Sequence, residues 1–148
     1  SSETLQLLYT DSLTEVYNRR YYDEQFRDSD DIEAVVVIDV DSFKHINDRY
    51  GHLQGDVCLA EIADCIKKAY ASYGYCYRIG GDEFCVLLKD AQREAACARE
   101  FLRCLEERRQ TIAFLPTVSF GAAALSGENM EKVKEQADRR MYRYKKRS

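Results

Sequence analysis

The chain is poor in residues that break, cross-link or ligate: it has one Pro, seven Gly and two His among 148 residues, and no two of its six Cys are spaced as Cys-x-x-Cys. So little Pro and Gly excludes a linker-rich or low-complexity chain, and 45% hydrophobic with 32% charged residues is the mixture of one compact domain over residues 1–148. The longest uninterrupted apolar runs, such as Ala34 to Ile38, fall far short of the roughly 18 to 20 residues that cross a bilayer, so no transmembrane helix and no membrane contact are expected of this domain. No signal peptide is expected. Two His and no Cys/His cluster leave little material for structural zinc, so any metal is expected to be hard and oxygen-bound. The six Cys fall at buried-looking positions and read as reduced core residues of a cytoplasmic protein. The opening Ser1-Ser2 in place of Met suggests a domain excised from a longer protein, whose remainder is free to carry a sensor or membrane anchor. A net charge of −4 argues against bulk binding to nucleic acid, although Arg139, Arg140, Arg143, Lys145, Lys146 and Arg147 crowd the chain's end.

Periodicity supplies the elements. Asn18 to Phe26 reads as a short helix, and the β-branched run Glu33 to Asp41 as a central strand covered on both faces. Ser42 to Arg49 fits a second short helix and Gly51 to Gly55 a loop. Asp56 then caps a long helix with Leu59, Ile62, Ala63, Ile66 and Tyr70 on one stripe. Tyr75–Ile79 and Glu83–Leu88 flank Gly80-Gly81-Asp82, where adjacent glycines suggest the positive φ of a tight hairpin. Ala91 to Arg109 reads as a helix with Ala98, Phe101, Leu102 and Leu105 inward, and Thr117 to Ala123 as a strand. Glu128 to Lys146 closes the chain as a helix burying Val133, Ala137, Met141 and Tyr144. A hairpin between two helical crossovers predicts an α+β sandwich of the split βαβ, ferredoxin-like kind, with a central sheet of mixed direction and flanking helices.

The chemistry gathers at strand ends. Asp39 and Asp41 share one face of their strand, and Asp82 and Glu83 come from the hairpin tip. Either each acid is a solvated strand terminus, or the set holds a divalent cation against substrate phosphates. Ser42-Phe43-Lys44 opens a helix whose free N–H groups suit a phosphate. Asn47 and Asp56 supply an amide and a carboxylate that match a guanine edge; Asp56 serves equally well as a helix cap. His52 is either a plain loop residue or part of that pocket, and Arg78 either a surface strand residue or a brace for the turn.

These residues carry a resemblance. Gly80-Gly81-Asp82-Glu83-Phe84 spells the motif of the GGDEF domain family, the diguanylate cyclases, and Asp39 to Asp56 resembles that family's second long signature almost position for position. Asp11 to Arg20, Val118 to Ala122 and Ala137 to Lys145 extend the likeness over nearly the whole chain in the right order. The resemblance implies a nucleotidyl-cyclase-like fold and condensation of two GTP into cyclic di-GMP, with release of two pyrophosphates, at a site formed with a second such domain. It implies two Mg²⁺ or Mn²⁺ per site, with Asp39, the Val40 carbonyl and Asp82 as ligands. Ser42, Phe43 and Lys44 would hold phosphates, Lys145 would add a phosphate contact, and Asn47 and Asp56 would read guanine. His52 would shape the base pocket and Arg78 brace the turn or a phosphate. The base is Asp82 or Glu83, with Lys44 stabilising the growing charge. Glu15 stands where the family commonly has Gly, and Val16 where it has Leu. Ala71-Ser-Tyr-Gly74 replaces the family's Arg-x-x-Asp product site, so no inhibitory product site is expected. The alternative to an active cyclase is a GTP-binding module without turnover.

Overall fold

The computed structural model describes residues 1–147. In chain order the elements are α1 (Ser2–Tyr9), α2 (Arg19–Asp28), β1 (Ala34–Val40), α3 (Phe43–Tyr50), α4 (His52–Tyr70), β2 (Gly74–Arg78), β3 (Glu83–Leu88), a 3-10 turn Ala91–Arg93, α5 (Glu94–Arg109), β4 (Val118–Ala124) and α6 (Met130–Arg147). The sheet order is β2-β3-β1-β4, the split βαβ arrangement expected. Every neighbouring pair is antiparallel, which corrects the expectation of mixed direction. Each helical crossover returns the chain parallel to the strand it left but one position away, so an antiparallel strand always fills the gap.

Strand β1 is covered on both faces because its β-branched residues alternate between two cores. Val36, Ile38 and Val40 join α4 and α5 residues such as Leu59, Ile66, Phe101 and Leu105. Val35 and Val37 join Tyr22 of α2 and Val133 and Ala137 of α6. The alternation of Cβ along a strand therefore assigns Asp39 to the α6 side. Gly121 of β4 lets α6 approach closely: a Cβ there would lie 2.2 Å from the Met141 backbone nitrogen and 2.4 Å from the Ala137 carbonyl oxygen.

Four local expectations are corrected. The loop between α3 and α4 is Gly51 alone, at φ +89°, so α4 begins at His52 and Asp56 lies inside it rather than at its cap. A single residue in the left-handed region turns the chain, and glycine adopts that region without a Cβ penalty. Neither Gly80 nor Gly81 has positive φ. Ile79 to Asp82 form a connection longer than the two-residue turns that require it, closed by the Ile79 and Gly80 amides donating to the Glu83 carbonyl. Leu102 and Tyr144 are 39% and 38% exposed, whereas Cys97 and Cys104 fill the inward face of α5. Helix α1, whose residues are all unburied, lacks the apolar stripe by which a helix is read from sequence. All six Cys are free and buried.

Candidate active site

The acids meet because two neighbouring strands end at one level. Asp39 on β1 stands opposite Glu83 on β3, and the Val40 amide donates to the Asp82 carbonyl at 3.0 Å, seating the turn on the end of β1. On the α6 side, Lys145 Nζ donates to Asp39 Oδ2 at 2.8 Å. Burial pushes the Asp82 carboxyl above the ordinary aspartate value, and the charge of Asp39 pushes it further. The bond to Asp39 holds the Lys145 ammonium above the usual lysine value, with Asp41 and Asp82 adding to the field. A cavity of about 680 Å³ opens beside these groups, lined among others by Asp39, Glu83, Tyr142 and Arg143.

Asp41 does not join the cluster as a free acid. Its carboxylate accepts from Ser119 Oγ at 2.6 Å and from Thr117 Oγ1 at 2.7 Å, and so fastens β1 to β4. Asp39 and Asp82 remain: two carboxylates near enough for the charge of one to act on the other, with an ammonium already drawn onto Asp39. That donor set fits a hard divalent cation such as Mg²⁺ or Mn²⁺. Among the described residues no three His, Cys, Asp or Glu side chains form a complete metal cage, so backbone, substrate or water oxygens would fill the remaining positions.

The turn is held from the front of the chain. The Arg78 guanidinium donates to the Gly81 carbonyl at 3.1 and 2.8 Å and pairs with Asp11 at 3.3 Å. Asp11 in turn accepts from the amide and hydroxyl of Thr14 at 3.0 and 2.6 Å. Burial pushes the Asp11 carboxyl up, but the Thr14 hydrogen bonds and Arg78 together outweigh it and hold it below the ordinary value. The Asp-x-x-Thr spacing of Asp11 to Thr14 marks a side-chain-capped turn in the sequence, whereas the Arg78 half of the clamp joins residues 67 apart and leaves no local signal.

The remaining residues form a second group at the seam of α3 and α4. Ser42 enters α3 at φ 52° and its side chain makes no cap bond, so the first amides of the helix lack a side-chain acceptor. Phe43 and Asn47, one turn apart on α3, both lie against Gly55 of α4, next to Asp56. The Asn47 Oδ1 atom is buried with no hydrogen-bond partner. Asp56 and His52 are exposed on the first turns of α4. The structure does not bring Lys44 to the acids: its exposed ammonium pairs with Asp48 at 2.9 Å. Ala71 and Gly74, from the stretch that replaces Arg-x-x-Asp, line a separate groove of about 1010 Å³ together with Asp11, Glu15, Lys67 and Tyr75.

A family profile described as "Diguanylate cyclase, GGDEF domain" matches residues 8–148. The chain is similar to "Diguanylate cyclase DgcS" of Shewanella oneidensis, with 34% identity over 145 residues that cover 91% of this chain and 49% of that protein. It is also similar to "Diguanylate cyclase DgcP" of Pseudomonas aeruginosa, at 36% over 160 residues, covering 95% of this chain and 23% of that protein. The chain thus spans half or less of these relatives. Among solved structures, the GGDEF domain of DgcB from Caulobacter crescentus in complex with c-di-GMP superposes with a TM-score of 0.80 at 30% identity, covering 93% of this chain and 90% of that one.

Proposed function

The chain belongs to the GGDEF domain family, whose curated members include diguanylate cyclases, and from that premise we propose that it condenses two GTP molecules into cyclic di-GMP, releasing two pyrophosphates. The observation that carries the proposal is the nearness of Asp39 to Asp82, whose carbonyl accepts from the Val40 amide next in the chain to Asp39, with the Lys145 ammonium bonded to Asp39. Each of two domains presents one GTP, and the 3′-hydroxyl of one attacks the α-phosphate of the other. Ser42, Phe43 and Lys44 receive the phosphates at the amino end of α3, where unpartnered amides and the helix dipole favour an anion. Lys44 leaves its exposed, easily exchanged pair with Asp48 to do so. Lys145 exchanges part of its contact with Asp39 for a phosphate oxygen.

Asp39, the Val40 carbonyl and Asp82 hold the divalent cations, two per site, which when bound neutralise charge on the α-phosphate and lower the pKa of the attacking hydroxyl. With Asp82 committed there, Glu83 is the acid left to accept the proton. Arg78 and Asp11 keep the turn seated while charge changes across it. Asn47 and Asp56 select guanine, with His52 at the edge of the pocket. Work in the cytoplasm is part of the proposal, and what supports it is that all six cysteines are free.

Incubation of the domain at high concentration with GTP and Mg²⁺, followed by chromatography, tests the proposal. Cyclic di-GMP is expected from the native chain and is expected to be lost with EDTA or in Asp82→Ala. Synthesis by Asp82→Ala at the native rate would overturn the assignment. Metal-dependent GTP binding without product, even when a coiled-coil dimer is fused before Ser1, would make the chain a binding module instead.

A further inference from the structure

We propose that Gly55 is a positioning residue that sets which way the Asn47 amide faces, so that the seam of α3 and α4 reads guanine by donation from Asn47 Nδ2 and acceptance by Asp56. This rests on the guanine role of Asn47 and Asp56 given above and adds how the amide comes to present a donor.

Glycine is disfavoured inside a helix, and Gly55 has none of the positive φ that would demand it. What it supplies is space. A Cβ at position 55 would stand 1.9 Å from Asn47 Oδ1, 3.1 Å from its Cγ and 3.3 Å from Phe43 Cζ. The hydrogen that glycine carries in that direction points at Oδ1, in the manner of a weak Cα–H···O contact.

The amide carbonyl is thereby turned into the seam, buried and without a conventional partner. Asn47 is only partly buried as a whole, and its Nδ2 donates to no acceptor among the described residues. The NH₂ is therefore the end left for a ligand. Guanine offers an acceptor at O6 where adenine has an amino donor, and its N1–H and 2-amino group donate to a carboxylate such as Asp56. An amide held with its donor outward, beside an acceptor, matches guanine and opposes adenine at two points. Any side chain at 55 rotates or expels the amide and removes one of them.

The test is calorimetric titration of the whole chain and of Asn47→Ala, Gly55→Ala and the double variant, with α,β-methylene GTP and ATP in Mg²⁺ so that no reaction occurs. Pyrophosphate serves as the phosphate control, and a melting curve is recorded for each protein. Asn47→Ala should weaken the guanine analogue about tenfold, the effect of one lost hydrogen bond in a partly buried site, and leave pyrophosphate unchanged. Gly55→Ala should match that loss, and the double variant should be no weaker than Asn47→Ala alone, because a methyl at 55 then meets no amide. Failure of Gly55→Ala to fold while the double variant folds would carry the same meaning. Native-like binding by Gly55→Ala, losses that add in the double variant, or a double variant that also fails to fold would overturn the role of Gly55 and leave the guanine reading standing. Native-like guanine binding by Asn47→Ala would overturn the guanine reading, and the inference with it.

Discussion

At the scale of the residue, one carboxylate joins the front loop to the acidic turn. Asp11 is held by Thr14 and Arg78, and Arg78 grips Gly81. Its folded-state pKa lies below the ordinary value, so the unfolded chain binds the proton more readily. The stability it contributes is present above the unfolded value, about pH 4, and is lost as pH falls through the folded one. Asp11→Asn should therefore lower the urea midpoint at pH 7 and show a smaller further fall between pH 5 and 3 than the native chain, which paired denaturation curves will measure. Glu15 is held at φ 62°, at the position where the family commonly carries Gly, and that conformation costs a residue with a Cβ. Glu15→Gly should raise stability by about 0.5 to 1 kcal/mol, read as a higher urea midpoint. The family's glycine at this site is thus a backbone requirement, which this chain meets with strain.

At the scale of the element, the site depends on how closely α6 lies on the sheet. Lys145 reaches Asp39 from the last turns of α6, and Gly121 on β4 allows that helix to sit against the strand. Gly121→Ala should destabilise the fold by about 2 kcal/mol, since a Cβ would press on backbone that cannot rotate away. It should also weaken phosphate binding, because Lys145 moves with the helix. A melting curve together with a pyrophosphate titration separates the two effects. Elements with a buried stripe were legible in sequence: β1 by its β-branched run, α4 by Leu59, Ile62, Ala63, Ile66 and Tyr70, all buried. Helix α1 was not legible, because no residue on it is buried and no stripe marks it.

At the scale of the whole molecule, the acids, the α3 amino end and Lys145 gather where β1 finishes and β3 begins, outside both cores. The proposed reaction joins two nucleotides, one on each domain, so its rate per domain should rise with domain concentration until pairing saturates. Fusion of a coiled-coil dimer before Ser1 should abolish that dependence by raising the effective concentration. Initial rates over a hundredfold dilution series will measure it, and a rate per domain that is flat for the unfused chain while its measured mass stays that of a monomer would exclude a two-domain reaction.

Composition and pattern alone determined the α+β class, the central place of β1, the long helix and the identity of the acids, because burial periodicity and an acid-tipped hairpin are local properties of the chain. Tertiary structure alone decided which acids act together. Asp41 matches Asp39 in spacing and face, yet the hydroxyls of Thr117, just before β4, and Ser119, on it, take both of its oxygens from a segment distant in sequence, while Lys145 crosses from α6 to Asp39. It also decided that Asp56 stands within α4 rather than at its cap, since one left-handed glycine completes the turn that sequence spread over five residues. Contacts between residues far apart in the chain are set by strand order and helix approach, and neither leaves a periodic mark on the sequence.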